Sequence, residues 1–429
     1  DGSVFADARL GLVYDAMAEI DRRGEKIDVV PLVEALDGVT ADTLIGYAES
    51  VPSARHAETY ARAVARASKR RRLIESAGKT MRAAIEADGG DDEVDAVLAD
   101  AERQLLDIAE GRPDEGAVTL DALITADAER LATGEITTGI LTGFADLDAL
   151  LGGLTPGEFH ILAARPSMGK TGLALNMAEQ IAAGGCDPWG RPESDPVPVA
   201  FFSLEMGRES LMHRMVAARS GVDATTIARG GLSLDDAERV LTAHTALRPL
   251  PIHIDDGSGL TAAQIAGRTR RLVERHGVRV VFIDYLQLIA SPSGKRENRQ
   301  VEVSDISRQI KAMARRHNIA VVCLAQLNRA LENRADPTPR MSDLRESGSL
   351  EQDADVVMLL HREAYYHKND EQWIADHEGT INDADLIVAK HRNGPTGTVG
   401  LVWDERIVRF KTRTYTGGVE GSDPILDTA

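Results

Sequence analysis

The stretch EFHILAARPSMGKTGLALNM, residues 158–177, decides the reading of this chain. It begins as an apolar run, narrows to small residues, and reaches Gly169-Lys170-Thr171 just before a helical pattern starts. A strand, a tight loop and a helix in that order aim backbone N–H groups and the positive end of a helix dipole at one anion. The fitting ligand is a nucleoside triphosphate; no base-contacting motif stands out to say which. Ala164, Arg165, Pro166, Ser167, Met168, Gly169, Lys170 and Thr171 form the cradle. The Lys170 ammonium is expected to neutralise the β- and γ-phosphates, and the Thr171 hydroxyl to hold Mg2+. Ala164 stands where such loops usually begin with glycine, and it is small enough to keep the loop feasible.

The surroundings of the loop repeat its logic. EFHILAA, VPVAFFSLE, PIHIDD, VRVVFIDYLQLI, IAVVCLAQL, DADVVMLL, ADLIVAK and TVGLVWD are short apolar runs, several of them separated by helical stretches. The clearest helix is TAAQIAGRTRRLVERHG (261–277), where Thr261 and Gln264 form a capping-box pattern and Gly277 stops the turn. Alternating strands and helices predict an α/β fold, a mainly parallel sheet with helices on both faces.

Polar residues at the ends of these runs are the candidates for chemistry. Asp284 ends VRVVFID and is the expected second magnesium contact. Glu205, at the end of the FFSLEM stretch, falls in the crevice where open α/β sheets bind ligands, and could polarise the attacking water. Gln326 closes VVCLAQ, where a neutral amide could sense the γ-phosphate. Lys390 and Arg392 in KHRNGPTG lie two apart on one side of an extended segment; they read as a surface edge strand in cis, or as arginine-finger residues in trans. DLRESGSLEQDAD (343–355) mixes small and charged residues before a buried strand, and Arg345 there could pair with a DNA phosphate.

The 429 residues allow two or three domains, and 43% hydrophobic with 27% charged residues fits a folded, soluble protein. No apolar run approaches the roughly 18 residues of a membrane span, so no membrane association is expected. The net charge of −19 argues against a general nucleic-acid coat but leaves room for a local basic surface. One candidate is SGKRENRQVEVSDISRQIKAMARR (293–316), with Lys295, Arg296, Arg299, Arg308, Lys311, Arg315 and Arg316; its bland reading is a solvated helix side. Lys69-Arg70-Arg71-Arg72 reads more readily as a solvated helix face with intrahelical pairs. The two cysteines, Cys186 and Cys323, make no CxxC pair, so neither zinc module nor disulfide scaffold is supported and the cytoplasm is the expected compartment.

Four segments follow. Residues 1–110 have helical periodicity and read as a small all-α domain; because residue 1 is Asp, its natural start is expected to be missing. Residues 111–137 read as a linker, with EGRPDEGAV marking its entry and TLDALITADAERLATGE a short amphipathic helix that needs a partner to bury its stripe. Residues 138–414 form the α/β domain and 415–429 a disordered tail. AGGCDPWGRPESDPVPVA (183–200) is longer than expected and reads as a surface insertion.

TGFADLDALLGGLTPGEFHILAARPSMGKTGLALNMA, FFSLEM, VVFIDYLQLI, LAQLNRALENR, DLRESGSLEQDADVVMLLHR and AKHRNGPTGTVGL together resemble the DnaB replicative helicases of bacteria and their phages. RRGEKIDVVPLVEAL and ESVPSARHAETYARAV are similar to that family's helical domain. The resemblance implies that the α/β fold is of RecA type and that the nucleotide is ATP. It implies a homohexameric ring around single-stranded DNA, moving 5′ to 3′ and separating strands by exclusion. It implies partnership with primase, a helicase loader and other replisome proteins. It also implies that Arg345, Glu346 and Gly348 form a DNA-backbone loop, that the helix near 119–133 docks on the adjacent subunit, and that Lys390 and Arg392 reach into the neighbour's site. Two readings compete: a RecA-like recombination or clock-type ATPase, and a nucleotide-bound scaffold with a silent motor. The DLRESGSLEQDAD block weighs against the first, and intact Lys170, Glu205 and Arg392 against the second.

Overall fold

The computed structural model describes residues 2–36, 38–50, 57–87, isolated positions between 94 and 128, and then 139–184, 195–290, 299–334, 336–344 and 348–413. The chain divides into two compact units, Asp1–Ala132 and Thr133–Ala429. The 111–118 linker, most of the 183–200 insertion with Cys186, the 293–298 stretch, Arg345, Glu346 and the 415–429 tail lie outside the described residues.

The first unit is helical. Helices α1 (Ala8–Arg22), α2 (Val29–Ala35) and α3 (Ala41–Glu49) start where Asp7, Asp28 and Thr40 accept the first free backbone N–H groups. They meet in a small core of Val13, Ile20, Leu32 and Leu44. Helix α4 (Ala57–Glu86) is polar over much of its length yet leaves Ile74, Met81 and Ile85 exposed. In its basic run, Arg71 donates to the Val4 carbonyl while Arg70 and Arg72 face solvent. Leu120 and Ile124, at helical positions further on, are also exposed.

The second unit is built on a nine-stranded sheet of order β3-β2-β4-β5-β1-β6-β7-β8-β9. Its strands are β1 (Phe159–Ala164), β2 (Val199–Ser203), β3 (Ile252–Asp255), β4 (Val280–Asp284), β5 (Ala320–Gln326), β6 (Val356–His361), β7 (Asp383–His391), β8 (Gly397–Asp404) and β9 (Arg409–Thr412). The first six run parallel. Strands β1, β2, β4 and β6 are buried at every position, as strands covered on both faces must be. The last three pair antiparallel beyond β6. That edge, and β9 itself, were not apparent from the sequence, because four residues of mixed character carry no period of their own.

Successive residues of each strand feed opposite cores. Leu162, Phe201, Phe282, Leu324 and Met358 point to one face, where helix α6 (Lys170–Ala182) adds Leu173, Met177 and Ile181. Ile161, Phe202, Ile283 and Cys323 point to the other. There α10 (Ala262–His276) and α11 (Arg299–His317) supply Ile265, Ile306 and Ile310. In chain order α5 (Ala145–Leu151) precedes α6, and α7 (Arg208–Ser220), α8 (Ala224–Arg229) and α9 (Leu234–Leu247) lie between α6 and α10; α12 (Gly348–Asp353) and α13 (Glu371–Asp376) follow α11. The capping box at Thr261 and Gln264 is present, and Gly277 ends α10 in a left-handed conformation.

The β8–β9 hairpin is fastened to α6. The Asn176 amide oxygen accepts the Phe410 N–H at 2.8 Å, and its nitrogen faces the Val408 carbonyl at 3.5 Å. Replacing Asn176 by Ala orphans a buried N–H. The variant is expected to unfold about 1–3 kcal/mol more easily in a denaturant titration, with the slope unchanged.

Candidate nucleotide site

The loop between β1 and α6 owes its shape to its glycine and its backing. Gly169 precedes α6 with φ 98°, a conformation that side chains disfavour. A Cβ there would stand 2.9 Å from the Phe410 ring and 3.3 Å from Trp403, so the hairpin leaves it no room either. Ser167 also takes a positive φ, 65°. Arg165 ties the loop to the segment after β5: its Nε and one terminal nitrogen donate to Glu332, and the other donates to the Leu327 carbonyl. Ala164 pairs with Gln326 across the ladder, so Gln326 emerges beside the loop.

Three side chains converge in front of it. The Thr171 hydroxyl donates to Asp284 Oδ2 at 2.7 Å, and the Lys170 ammonium lies 3.6 Å from Asp284 Oδ1. Lys170 also sits 4.5 Å above the Tyr285 ring. Burial pulls its pKa below the ordinary lysine value, while Asp284 and Glu205 work to keep it charged. Asp284 is fully buried, and among the described residues its Oδ1 finds no hydrogen-bond partner. An orphaned carboxylate oxygen beside a threonine hydroxyl, under a phosphate cradle, fits a small hard cation. The chemistry this arrangement suits is capture and activation of a triphosphate.

Glu205 stands close by but not at a strand end. β2 stops at Ser203, whose hydroxyl donates to the Met206 carbonyl and accepts the Met206 N–H. That turn lifts Glu205 out of the ladder and leaves it exposed, while the Leu204 N–H donates to the Asp284 carbonyl at 2.7 Å. Arg214 on α7, not singled out from the sequence, feels both Asp284 and Glu205; burial lowers its pKa and the two carboxylates oppose this. A second feature without sequence signal is a cavity of about 540 Å³ beside Ser167, lined by Tyr365, Tyr366, His367, Lys368, Asn369 and Asp370. Aromatic and polar residues in an irregular segment carry no spacing that would reveal it.

Lys390 and Arg392 lie elsewhere. β7 runs against β6, so Val356 and Val357 pair with His391 and Lys390 at the edge where β6 begins. The loop lies where β1 ends, and β1 and β6 are parallel. A strand of six residues separates the two edges, roughly 20 Å. Lys390 donates to the carbonyls of Glu351 and Ala354 at 2.6 and 2.7 Å, closing the C-terminal end of α12. Arg392 faces Asp355 at 3.5 Å. Of the DNA-loop candidates, Gly348 opens α12. In the basic helix α11, Lys311 turns inward to Asp355, so it serves the fold, while the exposed Arg308 pairs with Asp305 on its own helix. Arg315 and Arg316 are exposed.

Comparison with known proteins agrees with this organisation. Residues 139–412 match the family model of the DnaB-like helicase C terminal domain, and residues 2–66 that of the DnaB-like helicase N terminal domain. The chain is 38% identical over 414 residues to the replicative DNA helicase DnaC of Bacillus subtilis, covering 93% of this chain and 86% of that protein. It is 37% identical over 422 residues to the replicative DNA helicase DnaB of Leifsonia xyli, covering 95% and 87%. Among solved structures it resembles a DnaB-like replicative helicase described with its interactions with primase, at 29% identity and TM-score 0.63, over 95% of this chain and 93% of that one. A second solved structure, of an isolated ATPase domain, is 35% identical with TM-score 0.61, covering 70% of this chain and 100% of that one.

Replacing Lys170 by Ala removes the ammonium beside Asp284. Hydrolysis of ATP is expected to fall at least about 100-fold, as when one preorganised charge is lost from a transition state. A release assay for inorganic phosphate checks this.

Proposed function

The chain belongs to the DnaB-like helicase family, it is an ATP-dependent replicative DNA helicase, and we propose that it works as a homohexameric ring whose nucleotide sites are shared between subunits. The observation that carries this reading is the separation of the cradle from Lys390 and Arg392 by the length of β6. Two cations on the far edge cannot serve their own subunit's phosphate. In a ring the far edge of one subunit faces the cradle of the next, and both halves of a site come together. The exposed Leu120, Ile124, Ile74, Met81 and Ile85 give assembly the apolar surface it needs.

In each site the backbone of residues 164–169 holds the triphosphate and Lys170 neutralises its β- and γ-oxygens. Thr171 and Asp284 hold Mg2+, which when bound neutralises charge developing on the phosphates. Glu205 orients a water and accepts its proton as the oxygen attacks the γ-phosphorus. The bond from that phosphorus to the bridging oxygen breaks, leaving ADP and phosphate. Arg392 and Lys390 of the preceding subunit stabilise the charge that spreads over the transferred group, the part of an arginine finger. Gln326, one residue beyond the Ala325 that pairs with Ala163, relays the loss of the γ-phosphate to the following segment.

That segment leads to Arg345, Glu346 and Gly348, which grip the backbone of single-stranded DNA without reading its bases. Successive hydrolysis then moves the ring 5′ to 3′ and excludes the other strand. Its partners are primase, a helicase loader and other replisome proteins, and it acts in the cytoplasm. Among the described residues no helix is long and apolar enough to cross a membrane.

Forked duplexes with a single 5′ or a single 3′ loading tail test the motor. Unwinding from the 5′ tail alone, absent with Lys170→Ala, is the expected result; unwinding from the 3′ tail alone would reverse the polarity. Glu205→Gln is expected to bind ATP while turning over about 100-fold more slowly or worse, and turnover at the original rate would remove Glu205 from its role. Rings mixed from Lys170→Ala and Arg392→Ala subunits are expected to regain part of the activity that each lacks, because some interfaces pair an intact cradle with an intact Arg392. No recovery in well-mixed rings would sink the shared site.

A further inference from the structure

The edge that carries Lys390 and Arg392 holds a junction that the shared-site reading does not use. Asp355, the residue just before β6, has its side chain 5% exposed, while that of Arg392 is 60% exposed. The two Asp355 oxygens have different duties. Oδ2 accepts the Phe159 N–H at 2.8 Å and is also bonded by the Lys311 ammonium. Oδ1 faces Arg392 at 3.5 Å. The main chain adds two ties, the Asp355 N–H to the Phe159 carbonyl and the Arg392 N–H to the Asp355 carbonyl, both at 2.8 Å. Burial pushes the Asp355 pKa up, but the Lys311 bond and the Phe159 amide outweigh it and hold the group ionised.

From this geometry we infer that Asp355 is a positioning residue for Arg392 in the shared site. The inference rests on the proposal that Arg392 acts on the neighbour's nucleotide. An exposed arginine samples many rotamers, and ordering it on the phosphate costs side-chain entropy. A fixed carboxylate facing one of its terminal guanidinium nitrogens removes part of that cost beforehand. The attraction must also be weak enough to release the guanidinium. A spacing of 3.5 Å is long for a charge-assisted hydrogen bond, and Lys311 already neutralises most of the carboxylate. Asp355 therefore aims Arg392 without holding it. Through Phe159 the aim is referred to β1, the strand whose far end carries the nucleotide loop, and through Lys311 to helix α11.

The test is a double-mutant cycle on the whole chain, assembled into rings, with ATP and saturating single-stranded DNA. Asp355→Asn keeps the shape and removes the charge. Its kcat is expected to fall about tenfold, the usual consequence of losing an orienting partner, with KM changed less than about twofold. In an Arg392→Ala background the same substitution is expected to add nothing, since no guanidinium remains to be aimed. A residue that only fastens β1 to β6 would lower thermal stability and cost the same factor in both backgrounds; that result, or an unchanged kcat for Asp355→Asn alone, overturns the inference. Arg392→Ala rings that turn over at full speed would remove the shared-site reading and the inference with it. Slow Arg392→Ala rings beside normal Asp355→Asn rings would remove only the role of Asp355. Should Asp355→Asn fail to assemble, Asp355→Glu retains the charge one methylene further out and is put through the same cycle, with the same expectation of no added loss beside Arg392→Ala.

Discussion

A carboxylate withdrawn completely from water is tolerable only with a cation and donors beside it. Asp284 is in that position at the end of β4, and the second unit is arranged around it. Its partners, Lys170 and Thr171, come from the first turn of α6, so the loop between β1 and α6 must close tightly enough to bring that turn to the carboxylate. The strained backbone of Gly169 and Ser167 follows from that demand. So does the hydrogen bond that ties the Leu204 amide to the Asp284 carbonyl and brings Glu205 to the same place. Burial pulls the Lys170 pKa below its ordinary value, and a bound phosphate would join Asp284 and Glu205 in opposing that shift.

The parallel half of the sheet gathers such a site, and the antiparallel half carries Lys390 and Arg392 away from it. Six parallel strands deliver their C-terminal ends, and the polar residues on them, to one edge. Once β7 reverses direction, the residues at its own C-terminal end arrive at the opposite edge. The same sheet therefore offers a cradle on one side and cations on the other. On the proposed reading, a protein built this way would have its chemistry distributed over a contact between copies, and activity would be a property of the assembly.

Much of this was legible in the residues themselves. Strands buried on both faces read as unbroken apolar runs; Ala164, Asp284 and Gln326 end three of the strands and Lys170 opens the helix after the loop, so these four could be placed from the chain alone. The capping box of α10 was equally plain because it is a local hydrogen-bond pattern. Glu205 was placed at a strand end, and the structure moves it beyond one, because the Ser203 hydroxyl bends the chain in a way that composition does not announce. Arg214 and the Tyr365–Asp370 cavity were missed since their meaning comes only from what the fold sets next to them. Lys390 and Arg392 read from the sequence as an edge strand in cis or finger residues in trans, and spacing could not reveal that within the chain one closes a helix and the other faces Asp355. Long-range polar partners of this kind have no signature in spacing.

The backing of Gly169 by Phe410 bears on how such a protein is made. Phe410 is held by Asn176, a residue 234 positions earlier in the chain. Synthesis runs from the N-terminus at about 5–20 residues each second, so β1 and α6 leave the ribosome well before the hairpin that braces the loop between them. Until β9 docks, the loop lacks the wall that fixes its shape. A nascent chain thus carries the loop sequence for a time before the Phe410 ring that walls it has been made.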